Sequence, residues 1–162
     1  MIEQGLQQEI NMVMTEARNR RLEFVTVEHL LLALLNMDEV IAFLRGKRVN
    51  IDELRAELDQ YIDSHTPIIS EDAEIDIVPT VGFQRVLQRS VYQAQSAQKN
   101  SVNAMNVFVS IFSEKESHAV YMLKLNNISR LDVMEGISSH LADNPVEETK
   151  KVEGDKQAKP SS

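Results

Sequence analysis

Moved along itself by 77 residues, this chain meets its own pattern. Gly5 falls on Gly82, Leu6 on Phe83, Ile10 on Leu87, Met14 on Val91 and Ala17 on Ala94. Further on, Val25-Thr26 falls on Val102-Asn103, Leu30 on Val107, Leu32 on Val109, Leu34 on Ile111 and Leu35 on Phe112. A two-residue insertion then restores the match, so that Val49 meets Ile128, Leu54 meets Val133 and Leu58 meets Ile137. Any two amphipathic helices align apolar to apolar, but four successive pairs with equivalent cap positions and one small gap point to an internal duplication. A unit of about 60–65 residues buries only about 60% of its extended-chain surface and is marginal alone. The expected fold is therefore all-α: two four-helix repeats packed on each other with pseudo-two-fold symmetry. An open solenoid would need at least three stacked units.

The helical units are legible one by one. Leu6, Ile10, Val13, Met14 and Ala17 occupy one face of a first helix. Thr26 is the N-cap residue of a second, through Leu35, with Glu28 in its first turn. A third spans about 39–45, with Gly46 as the residue expected to end it. Asn50 caps the fourth, with Glu53 three residues on and Leu54, Leu58, Tyr61 and Ile62 as its inward stripe. Pro67 and Pro79 bracket an acidic stretch expected to be a loop. Thr80 caps a long fifth helix to about Ala97, with Phe83, Leu87, Val91 and Ala94 expected inward. Asn103 caps a sixth through Phe112, a seventh covers about 117–125, and Ser129 with Asp132 opens an eighth through Leu141. From Asp143 the chain mixes charges with almost no large apolar residue, the composition of a flexible linker. The expected division is repeat one at about 1–63, loop 64–79, repeat two at about 80–142 and linker 143–162.

Composition narrows function mainly by exclusion. A net charge of −8 argues against nucleic acid as the main ligand, because phosphate binding rests on clustered Lys and Arg. The absence of cysteine removes disulfides, thiolate chemistry and Cys-ligated zinc. His29, His65, His118 and His140 are scattered and form no H-E-x-x-H pattern, so no metal site is expected. The acidic pairs Asp52/Glu53 and Glu71/Asp72 sit at a cap and in a loop, without the burial that shifts a carboxyl toward neutral pH. Glycines 5, 46, 82, 136 and 154 cannot build a phosphate-binding G-x-x-x-x-G-K-[ST] loop, and no G-x-S-x-G occurs. No catalytic residue and no cofactor is expected. The longest apolar run, Leu30 to Leu35, is far shorter than the ~20 residues of a membrane span, and the amino end lacks a signal-peptide pattern. A cytoplasmic, non-catalytic interaction module, monomeric as an isolated domain, is the expectation.

Several segments resemble a known family in order. Residues Glu23-Phe24-Val25-Thr26-Val27-Glu28-His29-Leu30-Leu31-Leu32-Ala33-Leu34-Leu35 look like the signature of the Clp amino-terminal domains of HSP100 AAA+ unfoldases. Those domains are double four-helix repeats, in line with the duplication. Pro79-Thr80-Val81-Gly82-Phe83-Gln84-Arg85-Val86-Leu87-Gln88-Arg89 resembles the ClpA branch more than ClpB or ClpC. So does Ile111-Phe112-Ser113-Glu114 followed by Ser129-Arg130-Leu131-Asp132-Val133. The resemblance covers about residues 1–141. It implies a docking domain for substrate proteins and for a ClpS-like adaptor, in an unfoldase that feeds the ClpP protease. A stand-alone domain that binds adaptor or peptides without an attached ATPase is the alternative.

The residues themselves offer an adaptor surface on the fifth helix, where Arg85, Gln88, Arg89 and Tyr92 share the face opposite its apolar stripe. A charged helix face is usually only solvated, but Arg and Tyr are also what interfaces favour. The resemblance weights docking, and the candidate adaptor-binding set is Glu23, Thr26, Glu28, Thr80, Gln84, Arg85, Gln88, Arg89 and Tyr92. Taken as single residues, Thr26 and Thr80 read first as plain helix caps. If the pseudo-two-fold brings the two turns together, a mixed-charge patch forms.

Overall fold

Each repeat lends an extended segment to the other. In the computed structural model, which describes residues 1–71 and 76–143, β1 (Phe24–Val25) pairs in parallel with β2 (Val78–Pro79), Phe24 opposite Val78 and Val25 opposite Pro79. The partner of this ladder under the repeat is a parallel bridge between Ile2 and Val102. The Thr80 N–H donates to the Val25 carbonyl at 2.9 Å, and the Glu3 N–H donates to that of Val102 at 2.9 Å. The segment ahead of each repeat's first helix therefore pairs with the turn before the other repeat's second helix. Such reciprocity is the mark of a two-fold axis.

Eight helices carry the rest of the described chain: α1 Gln4–Asn19, α2 Val27–Leu34, α3 Asp38–Gly46, α4 Ile51–His65, α5 Val81–Ser96, α6 Ala104–Ile111, α7 His118–Leu125 and α8 Arg130–Asp143. α2, α4, α5, α6 and α8 start at the capping residues read from the sequence. Asn50 accepts from the Glu53 N–H at 3.0 Å, Thr80 from that of Phe83 at 3.2 Å and Asn103 from that of Asn106 at 2.9 Å. Among the described residues, the non-glycine positions with positive φ repeat as well. Arg21 (57°) and Gln98 (59°) follow α1 and α5, while Arg48 (63°) and Asn127 (61°) follow α3 and α7. The first pair keeps the 77-residue spacing and the second shows the two-residue insertion.

α2 and α6 form the centre. Both are apolar on nearly every side, which is the pattern of a helix enclosed by others. In α2 only Leu32 is less than fully buried, and in α6 only Asn106. α2 packs against α1, α4, α5, α6 and α7, while α6 packs against α2, α3, α5 and α8. α3 and α7 thus cross to the opposite repeat. Phe43 of α3 meets Phe108 of α6 edge-on, with ring centroids 5.9 Å apart. A Cβ at Gly136 would stand 2.7 Å from the Phe43 ring, so only glycine lets α8 approach it this closely. On the other side, the buried Glu28 of α2 accepts the Ala119 N–H of α7 at 2.9 Å. A carboxylate at an otherwise unpaired helix start satisfies both the N–H and the helix dipole.

Four expectations are corrected. Gly46 closes the last turn of α3, and the left-handed residue beyond it is Arg48. α5 turns Phe83, Val86, Ser90 and Ala94 fully inward and leaves Leu87 and Val91 half-buried. Ser90 tolerates burial because its hydroxyl donates to the Val86 carbonyl at 2.8 Å. Tyr61, expected inward on α4, is half-buried and stacks between two histidines. The stretch 64–79 is not all loop, since α4 runs to His65 and β2 closes the segment. The rest of the acidic expectation, at 72–75, and the linker from 144 onward lie outside the described residues. Among the described residues no helix is long and apolar enough to cross a membrane.

Leu31 is fully enclosed, whereas Leu32 is only half-buried. Leu31→Ala should cost about 2–5 kcal/mol in urea unfolding, and Leu32→Ala less than half of that. Glu28→Ala should cost about 1.5–3 kcal/mol in the same measurement, because it strands the buried Ala119 N–H.

Candidate docking site

Where α5 starts, the structure brings Glu23, Thr26 and Thr80 together. The Val78 N–H donates to the Glu23 carbonyl at 3.1 Å and the Thr80 N–H to the Val25 carbonyl, which sets Glu23 and Thr26 beside Thr80 on one ladder. Gly82 brings the start of α5 against α2, since a Cβ there would stand 3.1 Å from both Val27 Cγ2 and Glu114 Oε1. From this junction Gln84, Arg85, Gln88 and Tyr92 run along α5 as an exposed row, with Tyr92 70% accessible. Arg89, Glu23, Thr26 and Thr80 flank it, each half-buried.

Chemistry within the row is uneven. Arg85 grips Glu114 in a two-point pair, Nε to Oε2 at 2.9 Å and Nη2 to Oε1 at 2.6 Å. These bonds hold the Glu114 carboxyl below its ordinary range and raise the Arg85 guanidinium above its own. Arg89 adds positive charge beside Glu114, and among the described residues its buried Nε has no hydrogen-bond partner. Thr80 spends its hydroxyl on the cap of α5. Gln84 donates to the Pro79 carbonyl at 3.1 Å.

Glu28 stands apart from this set. At 6% exposure, with one oxygen committed to α7, it points into the repeat interface and is not presented at the surface. The sequence showed a glutamate in the first turn of a helix but could not show that another helix would start against it.

His29 is also buried, at 3% exposure. Its Nδ1 accepts the Thr26 N–H at 3.0 Å, completing a capping box in which the equivalent position of repeat two is Asn106, whose Oδ1 accepts the Asn103 N–H at 3.0 Å. With Nδ1 occupied as an acceptor, the ring proton sits on Nε2, which has no partner among the described residues. That tautomer leaves no lone pair for a metal. Among the described residues no three His, Cys, Asp or Glu side chains are placed to share a metal ion. Burial, reinforced by the charge of Arg20, pushes the His29 pKa down to about 4.

The model of the Clp repeat N-terminal domain matches residues 1–126. The chain belongs to that family. This Clp domain is 35% identical over 141 residues to the ClpA homolog protein of Fuscovulum blasticum, covering 86% of this chain and 18% of that protein. It therefore spans less than a fifth of that relative's length. Its fold matches the Hsp104 N-terminal domain of Candida albicans at a TM-score of 0.70 and 12% identity, over 83% of this chain and 87% of that one. It also matches a ClpV N-domain solved as a complex with a VipB peptide, at a TM-score of 0.65 and 15% identity over 88% of each chain. At such identities the likeness is one of fold.

The depressed His29 pKa carries a signed consequence. The folded state resists a proton that the unfolded chain accepts near pH 6.5, so the contribution of the neutral ring is complete above that pH. It drains as pH falls toward about 4 and amounts to about 3 kcal/mol at the limit. His29→Asn copies the cap of repeat two and removes the titrating group. Thermal unfolding between pH 7 and pH 4.5 should show a clearly smaller loss of Tm in the variant than in the unaltered chain.

Proposed function

We propose that this domain is the adaptor- and substrate-docking module of a ClpA-type ATP-dependent unfoldase, and that the α5 row is its adaptor surface. The observation that carries the reading is the row itself. Gln84, Arg85, Gln88 and Tyr92 stand out along one helix, anchored by a two-point ion pair and bordered by the ladder that joins the repeats. A rigid helix presenting an exposed tyrosine on the same face as the Arg85 guanidinium, held by Glu114, offers contact area at little entropic cost. The ClpA homolog relative supports an unfoldase parent, and the peptide held by a ClpV N-domain supports peptide or adaptor docking on this fold.

The proposed partner is a ClpS-like adaptor carrying its substrate, with degradation by ClpP downstream of the full-length parent in the cytoplasm. Residues 144–162, one residue shorter than expected because α8 runs through Asp143, are proposed as the linker that keeps captured cargo near the ATPase ring. A flexible tether of about 20 residues spans roughly 25 Å root-mean-square, which holds cargo at high effective concentration. Glu28 is left out of the proposed contact set, which comprises Glu23, Thr26, Thr80, Gln84, Arg85, Gln88, Arg89 and Tyr92. The module supplies proximity and selection rather than bond-making.

Gln88 and Tyr92 are exposed and lie outside the Arg85–Glu114 ion pair, so they test docking without disturbing the fold. Calorimetric titration with the ClpS-like protein of the same organism should show Gln88→Glu with Tyr92→Ala weakening binding about tenfold or more. Tm should move by no more than about 2 °C, as expected of surface changes. Unchanged affinity would remove this row from the adaptor site.

A further inference from the structure

The two-fold relation between the repeats is broken at one junction, and the break leaves a groove. Where α3 crosses to the second repeat, the Phe43 ring lies on Gly136 and closes the contact. The register set by Arg48 and Asn127 places Met122 opposite Phe43 and Glu57 opposite Gly136. At the junction of α4 and α7, a thioether therefore faces a helix bearing a carboxylate instead of a ring seated on a glycine. A cavity of about 380 Å³ remains there, opening to solvent between α4 and α7.

Rings build one side of it. His65 and His118 stack on the two faces of Tyr61, with centroids 4.0 and 3.9 Å away, so that the stack runs from α4 to α7. Tyr121 tilts against His118 at 5.2 Å and is 54% exposed, and Leu125 beside it is 64% exposed. Glu57 is the one carboxylate lining the cavity, and among the described residues no Lys or Arg lines it. Behind Tyr61 lies the buried Glu28; burial first, and then the Glu28 charge, raise the Tyr61 hydroxyl above its ordinary pKa. The groove thus combines aromatic faces, apolar side chains and the Glu57 carboxylate, without a Lys or Arg among its described lining residues.

We propose that this groove is a second docking site, separate from the α5 row, that takes an arginine or lysine side chain from an extended segment of a partner protein. Charge complementarity selects the occupant. A cation over the Tyr121 ring gains from its negative face, and the Glu57 carboxylate supplies an ionised acceptor. The aliphatic stem of such a side chain lies against Met122 and Leu125 while its charge stays at the mouth. The volume falls at the small end of ligand pockets, enough for one long side chain and its adjoining backbone. An acidic segment would bring its carboxylate against Glu57, with no Lys or Arg in the lining to offset the repulsion.

The test uses the full ¹⁵N-labelled chain titrated with millimolar N-acetyl-arginyl-leucinamide, with N-acetyl-glutamyl-leucinamide as the matched acidic probe. The arginyl probe should shift amide resonances around Glu57, Tyr61, Tyr121 and Leu125, and the glutamyl probe should leave them in place. Glu57→Gln alone, at an exposed position, should weaken the arginyl probe at least threefold, and adding Tyr121→Ala should bring the loss to tenfold or more. The Gln88→Glu, Tyr92→Ala variant should bind the probe like the unaltered chain, which separates this outcome from that of the adaptor titration. Equal response to both probes, shifts confined to other faces, or unchanged binding by both groove variants would overturn the proposal. Nuclear Overhauser contacts from Tyr121 to Lys150 or Lys151 in the probe-free chain would overturn it in favour of the chain's own carboxy-terminal segment. Groove shifts that grow with protein concentration alone would overturn it in favour of a second copy.

Discussion

Everything in this domain depends on α2 and α6 burying each other. Each is a short helix apolar on almost every side, and neither repeat has enough of its own helices to enclose one. α3 and α7 cross over to supply the missing cover, and the extended segments at Ile2 and Val78–Pro79 stitch the turns of opposite repeats together. The stabilising area lies between the halves as much as within them. Both repeats must therefore fold together, and the surfaces they hold are as fixed as the interface itself.

Against that near-symmetric frame, differences between equivalent positions do the functional sorting. Glu28 of repeat one, facing the start of α7, corresponds to Met105, which packs near Phe43 and Gly136 in the other half. His29 and Asn106 build the same cap with different chemistry, one able to titrate and one not. Gly82 is pressed against Val27 and Glu114, while its counterpart Gly5 has open space around it. The first contrast makes one junction polar and the other apolar. The last seats α5 tightly enough that its outer row becomes a rigid ledge, with Arg85 tied to Glu114.

The parts of the candidate site differ in how visible they are to sequence reasoning. The exposed row on α5 follows from helical spacing alone, because Arg85, Gln88 and Tyr92 recur on one side of a capped helix. Helical spacing points Leu87 and Val91 inward, but Ser90, polar by type, satisfies its hydroxyl on its own helix and takes the buried position instead. Glu28 escapes sequence reasoning for a related cause. A carboxylate reads as exposed until another helix brings an unpaired N–H to it, and that N–H lies 91 residues further along the chain. The half-buried state of Leu32 was equally hidden, since a run of leucines gives no sign of which one faces the cavity between α1 and α4.

The sequence by itself determined the local, periodic features: the duplication, the helix starts at Thr26, Asn50, Thr80, Asn103 and Ser129, the two-residue insertion and the all-α class. These rest on interactions within a few residues, or on repetition, and both are written along the chain. Only the tertiary structure decided which equivalent junction closed and which stayed open, where Glu28 spends its charge, and that His65, Tyr61 and His118 stack into one wall. Those outcomes depend on side chains from different repeats meeting across the pseudo-two-fold axis. No local pattern records the distance or direction from which a partner will arrive.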